Sequence, residues 1–148
     1  MTVARHRLAE ARHGVGGICW AGDRYVVAGR VLAKLRNAPD AGVDVHEYDG
    51  AFRWLRTVRL PGDWTGADIK TAEFAYGRFF FGCRGEPPCV LVASPDLRHV
   101  ERLAGAEAAC GIARGPGGKL LLGWDRAGSD GHHGKLWVVE PSRFWNGN

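Results

Sequence analysis

Glu73 stands in an apolar run, between Ala72 and Phe74, and Asp68 precedes it by five residues. A carboxylate among apolar neighbours must be hydrogen-bonded, ion-paired or metal-bound to offset its desolvation. Two carboxylates near one opening could serve as acid and base, or hold a hard divalent cation. Glu73 could equally pair with an arginine such as Arg30 or Arg84 and clamp structural units together. His132 and His133 lie with Asp125 and Asp130 in a glycine-rich stretch, a donor set that suits a proton relay or a transition metal. Adjacent residues on an extended chain point opposite ways, so both imidazoles do not meet one ion. A solvated loop explains the same residues. A catalytic reading therefore rests on Glu73, Asp68 and His132.

A ligand-binding reading rests on other residues. Arg30, Arg84 and Arg126 each follow an apolar run and a small residue. Guanidinium groups present planar forks of donors that match carboxylate and phosphate. Trp64, in a glycine-rich connection, could stack on a sugar ring. His13 and Asp125 fall in connections of the same kind. The four cysteines, Cys19, Cys83, Cys89 and Cys110, form no CxxC pair, so zinc knuckles are excluded. Cys83 and Cys89 bracket a short turn and could face each other across a hairpin; reduced thiols in a half-buried sheet are the expectation. No nucleophile elbow, phosphate loop or dinucleotide fingerprint occurs, and no cofactor is required.

These residues need a scaffold, and the scaffold repeats. Three segments carry a basic residue, three apolar residues and a small one: Arg24–Ala28 (RYVVA), Arg78–Gly82 (RFFFG) and Lys119–Gly123 (KLLLG). Each follows a glycine turn, has a short apolar run before that turn, and is followed by a third run (43–48, 90–93 and 136–139). Short β-branched and aromatic runs between glycine and proline turns predict antiparallel strands. No segment sustains a 3.6-residue period, so helices are not expected. Runs at 54–60 and 97–103 predict an outer strand for the first two units, both ending Arg-Leu. The third unit has no such run after it, yet Arg7-Leu8 closes a matching run at the N-terminus.

Three or four strands at a spacing of some tens of residues resemble the blades of β-propeller repeats. The string Asp68 to Cys83 (DIKTAEFAYGRFFFGC) is further similar to blades of glycan-associated and lactonase-like propellers. The resemblance implies an all-β chain of 148 residues in one domain: an outer strand at 1–10 and blades at 14–60, 68–103 and 109–141. Propellers have about four to eight blades, so three imply a half. Two copies about a two-fold axis would complete six blades, each lending its first strand to the other's last blade. The complementary ends suggest a complete gene product.

The chain carries a net charge of +4, which permits nucleic acid without implying it, and no stacking platform for it is present. No apolar run reaches the ~20 residues of a membrane helix, and the first residues lack the apolar stretch of an export signal, so the cytoplasm is expected. Glycine, 22 residues, is abundant enough to serve many turns. The expected function is binding of a small molecule or saccharide on the axial face of a homodimeric propeller. A hydrolase or lyase using the carboxylates and His132, metal-dependent or not, and a protein-interaction scaffold are the alternatives.

Overall fold

The computed structural model describes residues 3–31, 37, 41–85, 87–103, 106, 111–128 and 131–140. These form three antiparallel sheets, each in simple chain order. The first contains β1 (Val15–Trp20), β2 (Tyr25–Gly29), β3 (Asp44–Tyr48) and β4 (Trp54–Arg59). The second contains β5 (Ile69–Ala75), β6 (Arg78–Cys83), β7 (Cys89–Ala93) and β8 (Val100–Arg102). The third contains β9 (Gly111–Arg114), β10 (Leu120–Gly128) and β11 (Gly131–Val139). The three repeated segments are the second strands, β2, β6 and β10. Among the described residues, the third sheet has no fourth strand and β11 is its edge.

The turns follow from local chemistry. β5 and β6 are joined by Tyr76-Gly77, with φ of 53° and 70°. Positive φ at both central residues defines the type I′ turn, whose twist matches that of paired strands.

Alternation along β6 decides how the sheets stack. Phe79 and Phe81 point one way into a core shared with the first sheet, joining Val26, Ala28 and Val45. Phe80 points the other way, joining Leu120, Leu122 and Ile112 of the third sheet. The second sheet is thus covered on both faces, and burying each phenylalanine contributes about 1.5–3 kcal/mol. The first strands adjoin as well: β5 packs against both β1 and β9. At the first contact a Cβ on Gly16 would lie 2.3 Å from the Ile69 carbonyl oxygen, so glycine is what allows β1 to approach β5.

The outer sheets each keep one face free. Opposite Cys19 on β1, Ile18 and Trp20 are 46% and 45% exposed. On β11, Leu136 and Val138 are 67% and 55% exposed. Part of the first sheet's free face is covered by the chain's own beginning. His6 stacks on Phe52 at 4.6 Å, Phe52 stacks on Tyr25 at 4.2 Å, and Tyr48 Oη donates to Glu10 Oε2 at 3.0 Å. Burial, reinforced by that bond to a carboxylate, pushes the Tyr48 phenol well above its usual range.

Within one chain, residues 3–8 pair with no strand, and His6 and Glu10 rest on the first sheet. One expectation needs correction. His132 and His133 belong to strand β11, not to a loop: they face Ala127 and Arg126 in a hairpin that runs to Gly128 and Gly131. Their side chains, and that of Arg126, lie outside the described residues, as do Asp130 and Cys110.

Candidate functional site

The loops at one end of the first sheet enclose a cleft of about 490 Å³. One wall is the turn before β1. Ala11 accepts the Gly14 amide at 3.0 Å, and Gly14, at φ 96°, accepts the Arg30 amide at 3.1 Å. This closure brings Arg12 and His13 beside Arg30. The Arg30 stem crosses Gly14, 3.6 Å from where a Cβ would stand. The floor comes from two cross-strand pairs of β3 and β4. Asp44 accepts from Arg59 Nε at 2.5 Å and Nη2 at 3.1 Å. His46 Nδ1 meets Thr57 Oγ1 at 2.9 Å. Gly42 lets the Arg59 side chain through, since a Cβ there would sit 2.4 Å from its Cδ.

The cleft is electropositive. Its lining holds the guanidinium groups of Arg12, Arg30 and Arg59 against the carboxylates of Glu10 and Asp44. Arg59 is paired with Asp44, and Glu10 takes the Tyr48 hydroxyl. Arg12 and Arg30 have no ion pair among the described residues. His46 is 4% exposed, and burial lowers its pKa despite the raising fields of Asp44 and Glu10. It is therefore neutral at neutral pH, with one ring nitrogen a donor and the other an acceptor. The cleft offers guanidinium forks, an exposed imidazole at His13 and a buried neutral one. That set suits holding a carboxylate or phosphate.

Of the residues singled out from sequence, Arg30 and His13 meet here. The others lie apart. Arg84 repeats the backbone closure of Arg30 in the second sheet, its amide donating to Asp68 at 3.0 Å, and its side chain is exposed. Asp68 pairs with Lys70 Nζ at 3.0 Å. Glu73 pairs across the sheets with Arg114 Nε at 3.2 Å, rather than with Arg30 or Arg84. Asp68 lies five positions before Glu73, just outside β5, and a fully extended chain would set the two roughly 16 Å apart at most. Carboxylate pairs that cleave glycosides stand about 5–9.5 Å apart. Trp64 is half-buried against the core, and its indole N–H donates to the Pro61 carbonyl at 2.7 Å. Asp125 is exposed on β10, opposite Gly134. Among the described residues no cluster of three metal-ligating side chains occurs.

Nothing in the sequence singles out Glu10, Arg12, Asp44, His46, Thr57 or Arg59 as site residues. The Asp44–Arg59 and His46–Thr57 pairs carry the signal that could have found them, but only once the β3–β4 register is known.

A second centre of charge, with no signal in the sequence, lies between the first two sheets. Glu47, 2% exposed, accepts from Arg24 Nε at 2.9 Å and from both Nε and Nη2 of Arg56. Arg24 also donates to the Pro95 carbonyl of the second sheet at 2.9 Å and lies over the Phe79 ring. Burial acts to raise the Glu47 pKa, but the bonds and charges of Arg56 and Arg24 outweigh it and hold the carboxyl below its ordinary value. This group is structural. Compared with models of known protein families the chain matches none, and no curated protein is significantly similar to it.

Proposed function

We propose that this protein binds a small anionic molecule, bearing a carboxylate or phosphate, in the cleft formed by Arg12, His13 and Arg30. The observation that carries the reading is the pair of guanidinium groups, Arg12 and Arg30, left without an ion pair among the described residues at an opening of about 490 Å³. The three sheets are blades of a half-propeller, and a second copy about a two-fold axis completes six. The exposed apolar side chains on the first and third sheets and, among the described residues, the open edge of β11 support this. His46 and Thr57 belong to the first sheet's free face, so in such a dimer the cleft opens at the seam between copies.

The test is a titration of isotope-labelled protein, followed by amide chemical shifts, with D-glucuronate, glucose 6-phosphate, inorganic phosphate and D-glucose. The anions shift the amides of residues 11–14 and of Arg30, and neutral glucose does not. Arg30→Ala weakens the anions by about ten- to a hundred-fold, as expected for a lost charge-assisted bond of about 1.5–3 kcal/mol. Shifts by glucose equal to those by glucuronate, or anion binding indifferent to Arg30, would remove the proposal.

A further inference from the structure

Cys83 ends β6 and Cys89 begins β7, and the two are directly opposed in the ladder. Opposed residues of antiparallel strands have Cα atoms about 4.5–5.5 Å apart, inside the range a disulfide spans. Both thiols are free and buried. The next pair on the same face is Leu91 with Arg102 of β8, which brings a guanidinium diagonally beside Cys89. The pair stands at the mouth of the hairpin, next to the exposed Arg84 and Pro87.

We propose that Cys83 and Cys89 are a redox-active dithiol that a hydroperoxide converts into a cross-strand disulfide. The two sulfurs are unequal. The opposed Cys83 and the Arg102 guanidinium lower the Cys89 thiol against the raising effect of burial. Cys83, whose S–H donates to the Phe81 carbonyl at 3.4 Å, is pushed up by Cys89 and by burial. Cys89 is thus the nucleophile and Cys83 the resolving thiol.

The electron balance is complete with peroxide as the oxidant. The Cys89 thiolate attacks one peroxide oxygen and the O–O bond breaks. Hydroxide leaves, takes up the proton that Cys89 had released, and becomes water. Cys89 is then a sulfenic acid. The Cys83 sulfur attacks the Cys89 sulfur, the S–O bond breaks, and the departing hydroxide carries off the Cys83 proton as a second water. The two sulfurs give up two electrons, and these reduce the peroxide. Hydrogen peroxide is close to water in size, so little opening is needed to reach a sulfur at the sheet's end.

Peptide mapping of the native chain after stoichiometric hydrogen peroxide tests this. Remaining thiols are blocked in urea and the chain is cut by trypsin without reduction. Cleavage after Arg84 separates Cys83, on peptide 79–84, from Cys89, on peptide 85–98. The expected product is the two peptides joined, with Cys19 still blocked. Cys19 is the internal control, since burial pushes its thiol up to about 12. Cys83→Ser leaves a Cys89 sulfenic acid that dimedone traps. Arg102→Met slows linkage by roughly ten-fold, the effect of removing one adjacent opposite charge. Oxidation of Cys19 before Cys89 would overturn the proposal. So would a native chain that stays unlinked at peroxide levels that link the urea-unfolded chain, or an Arg102→Met protein that links as fast as the wild type.

Discussion

Replacing Glu47 by glutamine tests what holds the first two sheets together. The variant keeps the side-chain volume and one acceptor oxygen, but sets an amide N–H₂ against the Arg56 donors. Breaking a fully buried ion pair costs about 3–5 kcal/mol. Two features reduce that here. The Arg56 side chain is 51% exposed, so water recovers its charge, and Arg24 keeps Asp23 at 2.8 Å and the Pro95 carbonyl as acceptors. The expected loss is about 2 kcal/mol. With a urea slope of about 2 kcal/mol per molar, the unfolding midpoint falls by about 1 M. The pH dependence adds an independent check. Glu47 has a folded pKa below its ordinary value, so its stabilisation is fully present above that value, near 4.5, and is lost as pH falls through the lower folded value. The buried His46, also depressed, makes both proteins less stable in acid below about 6.5, but equally, so it cancels in the difference. Urea melts at pH 7, 5 and 3, at one protein concentration, therefore show a gap that is wide at the first two and narrows at the third. A Glu47→Gln protein within about 0.5 kcal/mol of the wild type at pH 7, or a gap that widens in acid, would refute the reasoning.

Gly16→Ala drives a methyl into the Ile69 carbonyl at the β1–β5 contact and costs about 1–3 kcal/mol or more, measured by the same urea melts. Glu73→Gln removes a cross-sheet pair whose arginine is 65% exposed, so the melting temperature moves by little, about 1 kcal/mol at most; a loss as large as that of Glu47→Gln would give Glu73 a larger role than its geometry shows. Light scattering of the intact chain gives about twice 16.1 kDa, and deleting residues 1–9 abolishes that dimer; a stable monomer at micromolar concentration contradicts the assembly.

The strands were legible because their signals are local. RYVVA, RFFFG and KLLLG are β-prone runs between glycine turns, and each became the second strand of a sheet. What stayed hidden depends on register and on neighbouring sheets. Glu47 falls by alternation on the buried face of Val45, a place a lone carboxylate would not take; it is held there by Arg24, just before β2, and Arg56 of β4. Gly17 was legible as the start of a strand, but not that it and Gly16 form the flat patch that admits β5. Residues 124–134 read as a loop from their glycines, but β10 and β11 continue their ladder through them, since a glycine opposite Asp125 or Gly128 does not break pairing.

The clearest case is the third basic position. Aligned on residue type, Arg126 takes the place of Arg30 and Arg84, and two copies would carry six guanidinium groups on one face. Aligned on structure, the small residues Ala28, Gly82 and Gly123 correspond, each lying opposite the first strand near the sheet's end. Two residues on from them stand Arg30, Arg84 and Asp125. A shift of one residue along a strand exchanges its faces, so Arg126 is not a third copy, and the third position bears the opposite charge. Arg84, though equivalent to Arg30, closes onto Asp68, which is held by Lys70, whereas Arg30 closes onto Gly14 between Arg12 and the first sheet. The proposed anion site is therefore local to the first sheet: it is placed where a glycine replaces the carboxylate in front of the arginine, and not by the repeat itself.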